Sequence, residues 1–277
     1  MPYPPSAYDP AAFRGAAPYY AIGRPPYSVQ LRDTLRRELG LDGAGRLLDV
    51  GCGPGTLAVQ LAPLFQEVVG LDPEPGMLQA ARRAAQAAGV EHARWIEGVA
   101  EDLDRLGLGP CRLVTFGQSF HRTDRQRVAD LVYDLLEPGG AIALVCHMVD
   151  GRPWPPSTGH PEIPHGEIGA LIERYLGPRT LADADAAERW EVSLRESRFG
   201  GATIVYAPGR PDVVRDVDSV VAGYFSMSWA TPPRFGDDRE RFETELRALL
   251  LRHSPGGLFW DWPGDTEIVY ALKNPAA

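Results

Sequence analysis

The sequence predicts an α/β protein, a Rossmann-like, seven-stranded and mostly parallel sheet with helices on both faces, and three observations carry that expectation. Short apolar runs alternate with helix-like stretches through the first half of the chain, the rhythm of βαβ crossovers. One of these runs, Leu47-Leu48-Asp49-Val50, feeds straight into the glycine-studded turn Gly51-Cys52-Gly53-Pro54-Gly55. A last apolar run, 266–273, lies far from the others and calls for one more strand.

Taken in order, 45–50 reads as a buried strand and 56–64 as a helix that begins at the turn. A second strand at 67–72 is followed by an Ala-rich helix at 75–88 and a third strand at 92–98. After a fourth strand at 112–119, Val128, Leu131, Val132, Leu135 and Leu136 recur at helical spacing within 125–136,. Pro138-Gly139-Gly140 stops that helix, and 140–147 is the fifth strand,. Right-handed crossovers bring the strand ends that carry Asp49, Asp72 and Ser119 to one edge of the sheet, where the binding crevice is expected.

Beyond Asp150 the rhythm breaks. A Pro-rich loop with Trp154 at 151–164 is followed by a helix at 165–176, a strand at 190–199 and a short strand at 203–206. Two amphipathic helices, 215–229 and 239–251, then form a small helical cap inserted before the last strand. The expected division is an N-terminal segment and ligand-binding core at 1–150, substrate-covering loops and cap with further strands at 151–264, and the last core strand at 265–277.

With 277 residues and 44% hydrophobic content, the chain is long enough for one sizeable core,. It has no apolar run of the roughly 20 residues that span a bilayer, and Met1–Pro10 has neither basic region nor apolar core, so no export is inferred and a cytoplasmic location is expected,. Cys52, Cys111 and Cys146 are scattered and odd in number, which fits reduced thiols,. The net charge of -9 without a basic run argues against nucleic acid as a partner,. A single lysine, Lys273, among 28 basic residues hints at a GC-rich, bacterial coding genome.

The turn has the spacing Gly-x-Gly-x-Gly, with Thr56 where a dinucleotide fingerprint needs its third glycine, which disfavours a nicotinamide or flavin ligand and hence a dehydrogenase. Asp72 follows Asp49 by 23 residues, the distance at which a carboxylate reaches a ribose diol above the first turn. The same acid also suits the helix start that follows it.

Leu47–Thr56, then Gly70-Leu71-Asp72-Pro73 with Met77-Leu78, then Ala100-Glu101-Asp102, resemble the cofactor motifs of class I S-adenosylmethionine-dependent methyltransferases. Gln118-Ser119-Phe120-His121 is similar to the fourth-strand end of their small-molecule, type 11/25-like branch. The resemblance covers the first half of the chain. It implies that Gly51, Gly53 and Gly55 pack against the amino-acid part of S-adenosylmethionine, that Asp49 reaches its ammonium and that Asp72 holds its ribose. Met77 would lie on an adenine face, and Asp102 would accept from the adenine amino group with backbone support from Ala100 and Glu101. Cys52, Thr56, Pro73, Gln118, Ser119 and Phe120 complete the set, with Phe120 flanking the cofactor. Tyr20 and Arg24 resemble an N-terminal segment that closes over it, where an Arg fork can pair with the cofactor carboxylate.

Methyl transfer from a sulfonium is an in-line displacement that needs no metal, and its work is alignment and desolvation. A hydroxyl, thiol or ammonium acceptor also needs a base. His121, after strand four, is the first candidate and His147, at the end of strand five, the second. Both count also as acceptor-binding residues, with Trp154, Phe225 and Trp229 from the aromatic-rich late segment. His160 and His165 with Glu162 and Glu167 lack a third ligand cluster, so no metal is expected,. No Gly-x-Ser-x-Gly elbow supplies a hydrolase nucleophile,. The function expected from the resemblance is methylation of O, N or C on a small secondary metabolite, leaving S-adenosylhomocysteine. A cyclase or isomerase on the same fold, or a non-methylating cofactor binder, stands as the alternative.

Overall fold

The computed structural model describes residues 12–148, 151–154, 156–178 and 190–274; Met1–Pro10, read above for a leader, and Asp150, read as a boundary, lie outside them. A short helix, α1 (Ala17–Gly23), and α2 (Leu31–Leu39) precede β1 (Arg46–Val50). Then come α3 (Thr56–Leu61), β2 (Glu67–Asp72), α4 (Pro75–Ala87), β3 (Ala93–Glu97), β4 (Cys111–Gly117), α5 (Arg125–Leu135) and β5 (Leu136–Met148). The remainder is α6 (His165–Leu176), α7 (Trp190–Glu196), β6 (Thr203–Ala207), β7 (Val213–Asp216), α8 (Val217–Phe225), α9 (Arg239–His253), β8 (Leu258–Asp261) and β9 (Asp265–Leu272).

Seven strands form one sheet in the order β3-β2-β1-β4-β5-β9-β6, parallel from β3 to β5, with β9 antiparallel to both its neighbours. Because the central strands are covered on both faces, they read as unbroken apolar runs. Leu48, Val50, Val69, Leu71, Phe116 and Leu144 pack on one side. Leu47, Val68, Leu113, Ala143 and Val145 pack on the other, against Leu57 and Leu61 of α3. Parallel register sets Asp49 beside Gly70 and Thr115, so the strand ends reach the same edge.

Three elements differ from the sequence expectation. Trp190–Glu196 is a helix, not a strand; Ser193 and Leu194 are buried from one helical face and Trp190 packs on the same core. Helix α8 starts only at Val217, because Asp216 turns the chain by accepting from the Ser219 amide at 2.8 Å, and the preceding residues pair as β7 with β8. Pro138-Gly139-Gly140 does not separate helix from strand; it lies inside β5 as a bulge, where the register jumps from Cys111↔Leu136 to Leu113↔Ala141,.

A third apolar cluster stands apart from the sheet. Ile168 and Ile172 of α6, Val221 and Phe225 of α8, Phe242 and Leu246 of α9, and Phe259 of β8 share it with Phe235, whose ring stacks on Phe242 at 4.0 Å. Helix α1 is fastened to this layer. The Arg215 guanidinium, paired with Asp261 at 3.0 Å, donates to the Gly23 carbonyl at 2.7 Å and also to the Ser219 carbonyl. Among the described residues no helix is long and apolar enough to cross a membrane.

The α1–α8 contact leaves no room for a side chain at Gly23, where a Cβ would lie 2.2 Å from the Ala222 carbonyl carbon. Backbone cannot yield as a rotamer does, so Gly23→Ala is expected to destabilise by about 2 kcal/mol and lower Tm by roughly 5 °C. An unchanged thermal melt would show that α1 is not docked this way.

Candidate functional site

Three strand ends and the loops after them build the crevice. The turn after β1 requires glycine at Gly51, whose φ is 65° and whose missing Cβ would sit 2.5 Å from the Ser119 Cβ,. Ser119 fixes the facing turn by donating to the Val50 carbonyl at 2.6 Å. Asp72 ends β2 with both oxygens engaged, accepting from the Gly53 amide at 2.8 Å and the Glu74 amide at 2.9 Å. Asp49 is 1% exposed and accepts from the Thr115 hydroxyl at 2.8 Å through Oδ1, while its Oδ2 is buried without a partner.

Burial dominates the electrostatics here. It pushes the Asp49 carboxyl up to about 7 against the pull of the Thr115 hydroxyl and the Ala58 amide, with the Asp72 charge adding to the rise,. It pushes Asp72 up to about 6 against the Glu74 and Gly53 amides. Both acids therefore sit in reach of their ionised and neutral forms near neutral pH.

Two cavities meet at this edge. The first is lined by Gly51, Gly53, Asp72, Pro73, Met77, Ala100, Glu101 and Ser119, with Tyr20 of α1 across from them. The second, of about 570 Å³, lies between α1, the end of β5, the start of α6, and the β7–β8 ribbon with α8. Tyr20 and Gln118 line both. Gln118 has φ 54°, the only non-glycine residue at positive φ among those described, and its amide donates to the Val145 carbonyl at 3.0 Å.

The structure gathers most of the expected cofactor residues around the first cavity and leaves others out. Cys52 is buried behind the turn, and Gly55 ends the turn under Trp95. Thr56 and Arg24 line the second cavity, not the first. Phe120 is fully buried in the sheet core, edge-on to Phe116 at 5.1 Å, because a 3-10 turn over Phe120–Arg122 folds its ring inward. Asp102 is directed to Arg105, at 2.9 Å, and Glu101 accepts from the Asp124 amide that opens α5.

Among the acceptor residues, His147 alone lines the second cavity. Its ring stacks on Tyr27 at 4.8 Å, and burial, with Arg24 nearby, lowers it to about 4 against the Pro25 carbonyl. His121 instead lies parallel to Trp190 at 6.4 Å, on the α7 side. Trp154 is 80% exposed, Phe225 is fully buried in the third cluster, and Trp229 packs on that cluster's margin. Tyr27, in the Arg24-Pro25-Pro26-Tyr27 run of the N-terminal segment that resembles a cover over the cofactor, lines the second cavity instead, its phenol held well above its ordinary range by burial. Trp262 and Tyr224, members of the aromatic-rich late segment read as a possible acceptor lining, line the second cavity, where Tyr224 pairs with His165 at 2.8 Å.

The raised carboxyls give stability a sign. A group whose folded pKa exceeds its unfolded value near 3.8 keeps a proton in the native state longer, so stability falls as pH rises through the interval up to about 7,. The two acids therefore pull the urea midpoint of the ligand-free protein down between pH 5 and pH 8, against the His147 ring, whose lowered value acts the other way below about pH 6.5,. Over that interval the midpoint should fall further, or rise less, in the wild type than in Asp49→Asn. A midpoint that rises with pH in the wild type and not in the variant would contradict the burial of Asp49.

Residues 47–140 match a methyltransferase domain family model. An uncharacterized methyltransferase of Bacillus subtilis is 32% identical over 39% of this chain and 43% of its own length. A probable S-adenosylmethionine-dependent methyltransferase of Saccharomyces cerevisiae is 27% identical over 70% of this chain and 67% of its own. The chain spans about half the length of the first curated relatives it matches. The crystal structure of an S-adenosylmethionine-dependent methyltransferase from Thiobacillus denitrificans, in complex with S-adenosylhomocysteine, shares the fold with a TM-score of 0.50 at 17% identity, over 92% of this chain and 96% of that one.

Proposed function

The chain carries a class I S-adenosylmethionine-dependent methyltransferase core, and from that premise we propose that it transfers the cofactor's methyl group to a small molecule, such as a secondary metabolite, held in the second cavity. The observation that carries the proposal is the adjacency of the two cavities, which share Tyr20 and Gln118. A donor held in one and an acceptor held in the other meet at a single boundary, the arrangement that in-line transfer requires.

The residues present fit the cofactor. Asp49 Oδ2 is a buried oxygen without a partner, suited to an ammonium, and the Gly51 turn leaves a cradle that a Cβ would fill. Asp72, its carboxylate fixed by two amides, would hold the ribose diol. Met77, 2% exposed, would lie under the adenine with Ala100 beside it,. When bound, the cofactor supplies a methyl group on a positively charged sulfur. The protein's part is to orient, exclude water and keep Tyr20 and Gln118 at the boundary.

His147 takes the place first given to His121, because it lines the acceptor cavity and His121 faces Trp190. A ring lowered to about 4 is neutral near pH 7 and a weak base,. Its role is to accept a hydrogen bond and shape the acceptor's pose.

Calorimetry with S-adenosylhomocysteine should give saturable binding at sub-millimolar ligand, weakened by about tenfold to a hundredfold in Asp72→Asn, as loss of charge-assisted hydrogen bonds implies. Absence of saturable binding would end the proposal. Because an ammonium favours ionised Asp49, affinity should rise by about tenfold from pH 6 to pH 8 and stay flat in Asp49→Asn. A wild-type affinity independent of pH would separate Asp49 from the ammonium.

A further inference from the structure

The second cavity holds three arginines, and their partners differ. Arg215 is paired with Asp261 at 3.0 Å, and Arg152 with Glu162 at 2.6 Å. Arg24 has no carboxylate partner among the described residues; its Nη2 donates to the Ser226 carbonyl at 3.0 Å, its guanidinium lies 5.0 Å from the Tyr20 ring centre, and its Nε is buried without a partner. The same wall carries a second donor without a partner, the buried Trp262 Nε1. An indole nitrogen and a guanidinium are donors only, so the wall holds buried hydrogen-bond donors and one charge without a counter-ion. Burial without a partner leaves such donors uncompensated for the water they have lost. The stacked rings of Tyr27 and His147, 4.8 Å apart, line the same cavity and supply a flat aromatic surface.

We propose that the methyl acceptor is a small carboxylic acid, seated with its carboxylate on Arg24 and Trp262 and its hydrocarbon part against the Tyr27–His147 stack. The inference rests on the methyltransferase reading and narrows it to ester formation. A carboxylate oxygen attacks the methyl carbon, the carbon–sulfur bond breaks with its electron pair going to sulfur, and a methyl ester and a neutral thioether result. No proton is released, which accords with a cavity whose two histidines, His147 and His165, are both made weaker bases by burial. Arg24 Nε sits at the meeting of elements that cover both cavities, so the same carboxylate chemistry has a second source in the cofactor's own α-carboxylate, and the experiment must separate them.

Calorimetry on the S-adenosylhomocysteine-saturated protein, with benzoate and hexanoate each against its neutral amide, makes the test. Each acid should bind at least about tenfold tighter than its amide, the size of a charge-assisted pair. Arg24→Gln should abolish the preference, and Arg24→Lys should keep part of it. In parallel, S-adenosylhomocysteine and 5′-methylthioadenosine, which lacks the amino-acid part, are titrated into wild type and Arg24→Gln. Affinities within about threefold for both leave Arg24 to the acceptor. A loss confined to S-adenosylhomocysteine assigns Arg24 to the cofactor and overturns the proposal. So does a wild-type protein that binds acids no tighter than amides, or binds neither at about millimolar concentration, a result that depends on no variant. Failure of S-adenosylhomocysteine to bind the wild type would instead remove the methyltransferase reading beneath it.

Discussion

Two carboxylates buried at the ends of neighbouring parallel strands constrain everything around them. Burying an acid costs free energy unless its oxygens are partnered, and the chain partners three of the four: Asp72 takes two backbone amides and Asp49 takes the Thr115 hydroxyl. Parallel register is what makes this possible, since it sets Thr115 beside Asp49 across β1 and β4. The fourth oxygen, Asp49 Oδ2, is left without a partner. This unpartnered oxygen, at a strand end next to a turn of positive φ, is the observation on which the proposed place of the ligand's cationic group rests,.

The second constraint is the attachment of the N-terminal helix. Breaking one member of a buried ion pair is costly because the other charge is stranded, and Arg215 with Asp261 is such a pair, with side chains 10% and 16% exposed. The pair ties β7 to β8, and the same guanidinium carries α1 through the Gly23 carbonyl. Residues of α1 then line both cavities at once. The aromatic cluster of α6, α8, α9 and β8 has its own core and supports Ile163, Val220 and Tyr224 on one side of the second cavity, while His147 of β5 lines it from the sheet.

What was legible in the sequence was local. The strands β1, β2, β4 and β5 show as apolar runs because both their faces are covered, and the glycine turn shows because only glycine tolerates Gly51's approach to Ser119,. Trp190–Phe199 misled because Trp190, Val192 and Leu194 alternate as in a strand, while the burial of Ser193 and Leu194 follows a helix. The β7–β8 ribbon was illegible, since each strand has four residues and the pairing joins segments far apart in sequence. The histidines show the limit most clearly. Both sit at strand ends, and only the backbone decides between them. Period-two alternation along β5 puts His147 on the face of Ala143 and Val145, toward Tyr27, whereas a 3-10 turn after β4 swings His121 to Trp190,.

The boundary between the cavities falls on strained backbone. A left-handed conformation costs a side-chain-bearing residue roughly 1–2 kcal/mol, and a glycine at position 118 would remove that cost. Gln118 is held there regardless, by its amide on the Val145 carbonyl on one side and the Ser119 hydroxyl on the Val50 carbonyl on the other. These bonds lock β4's exit between β1 and β5, so the turn is fixed by the two strands whose loops line the cavities. Its side chain also hydrogen-bonds the buried Tyr27 phenol, which stacks on His147. One strained residue thus links the turn that meets the first cavity to the flat wall of the second, and the strain persists because elements on both sides determine its geometry.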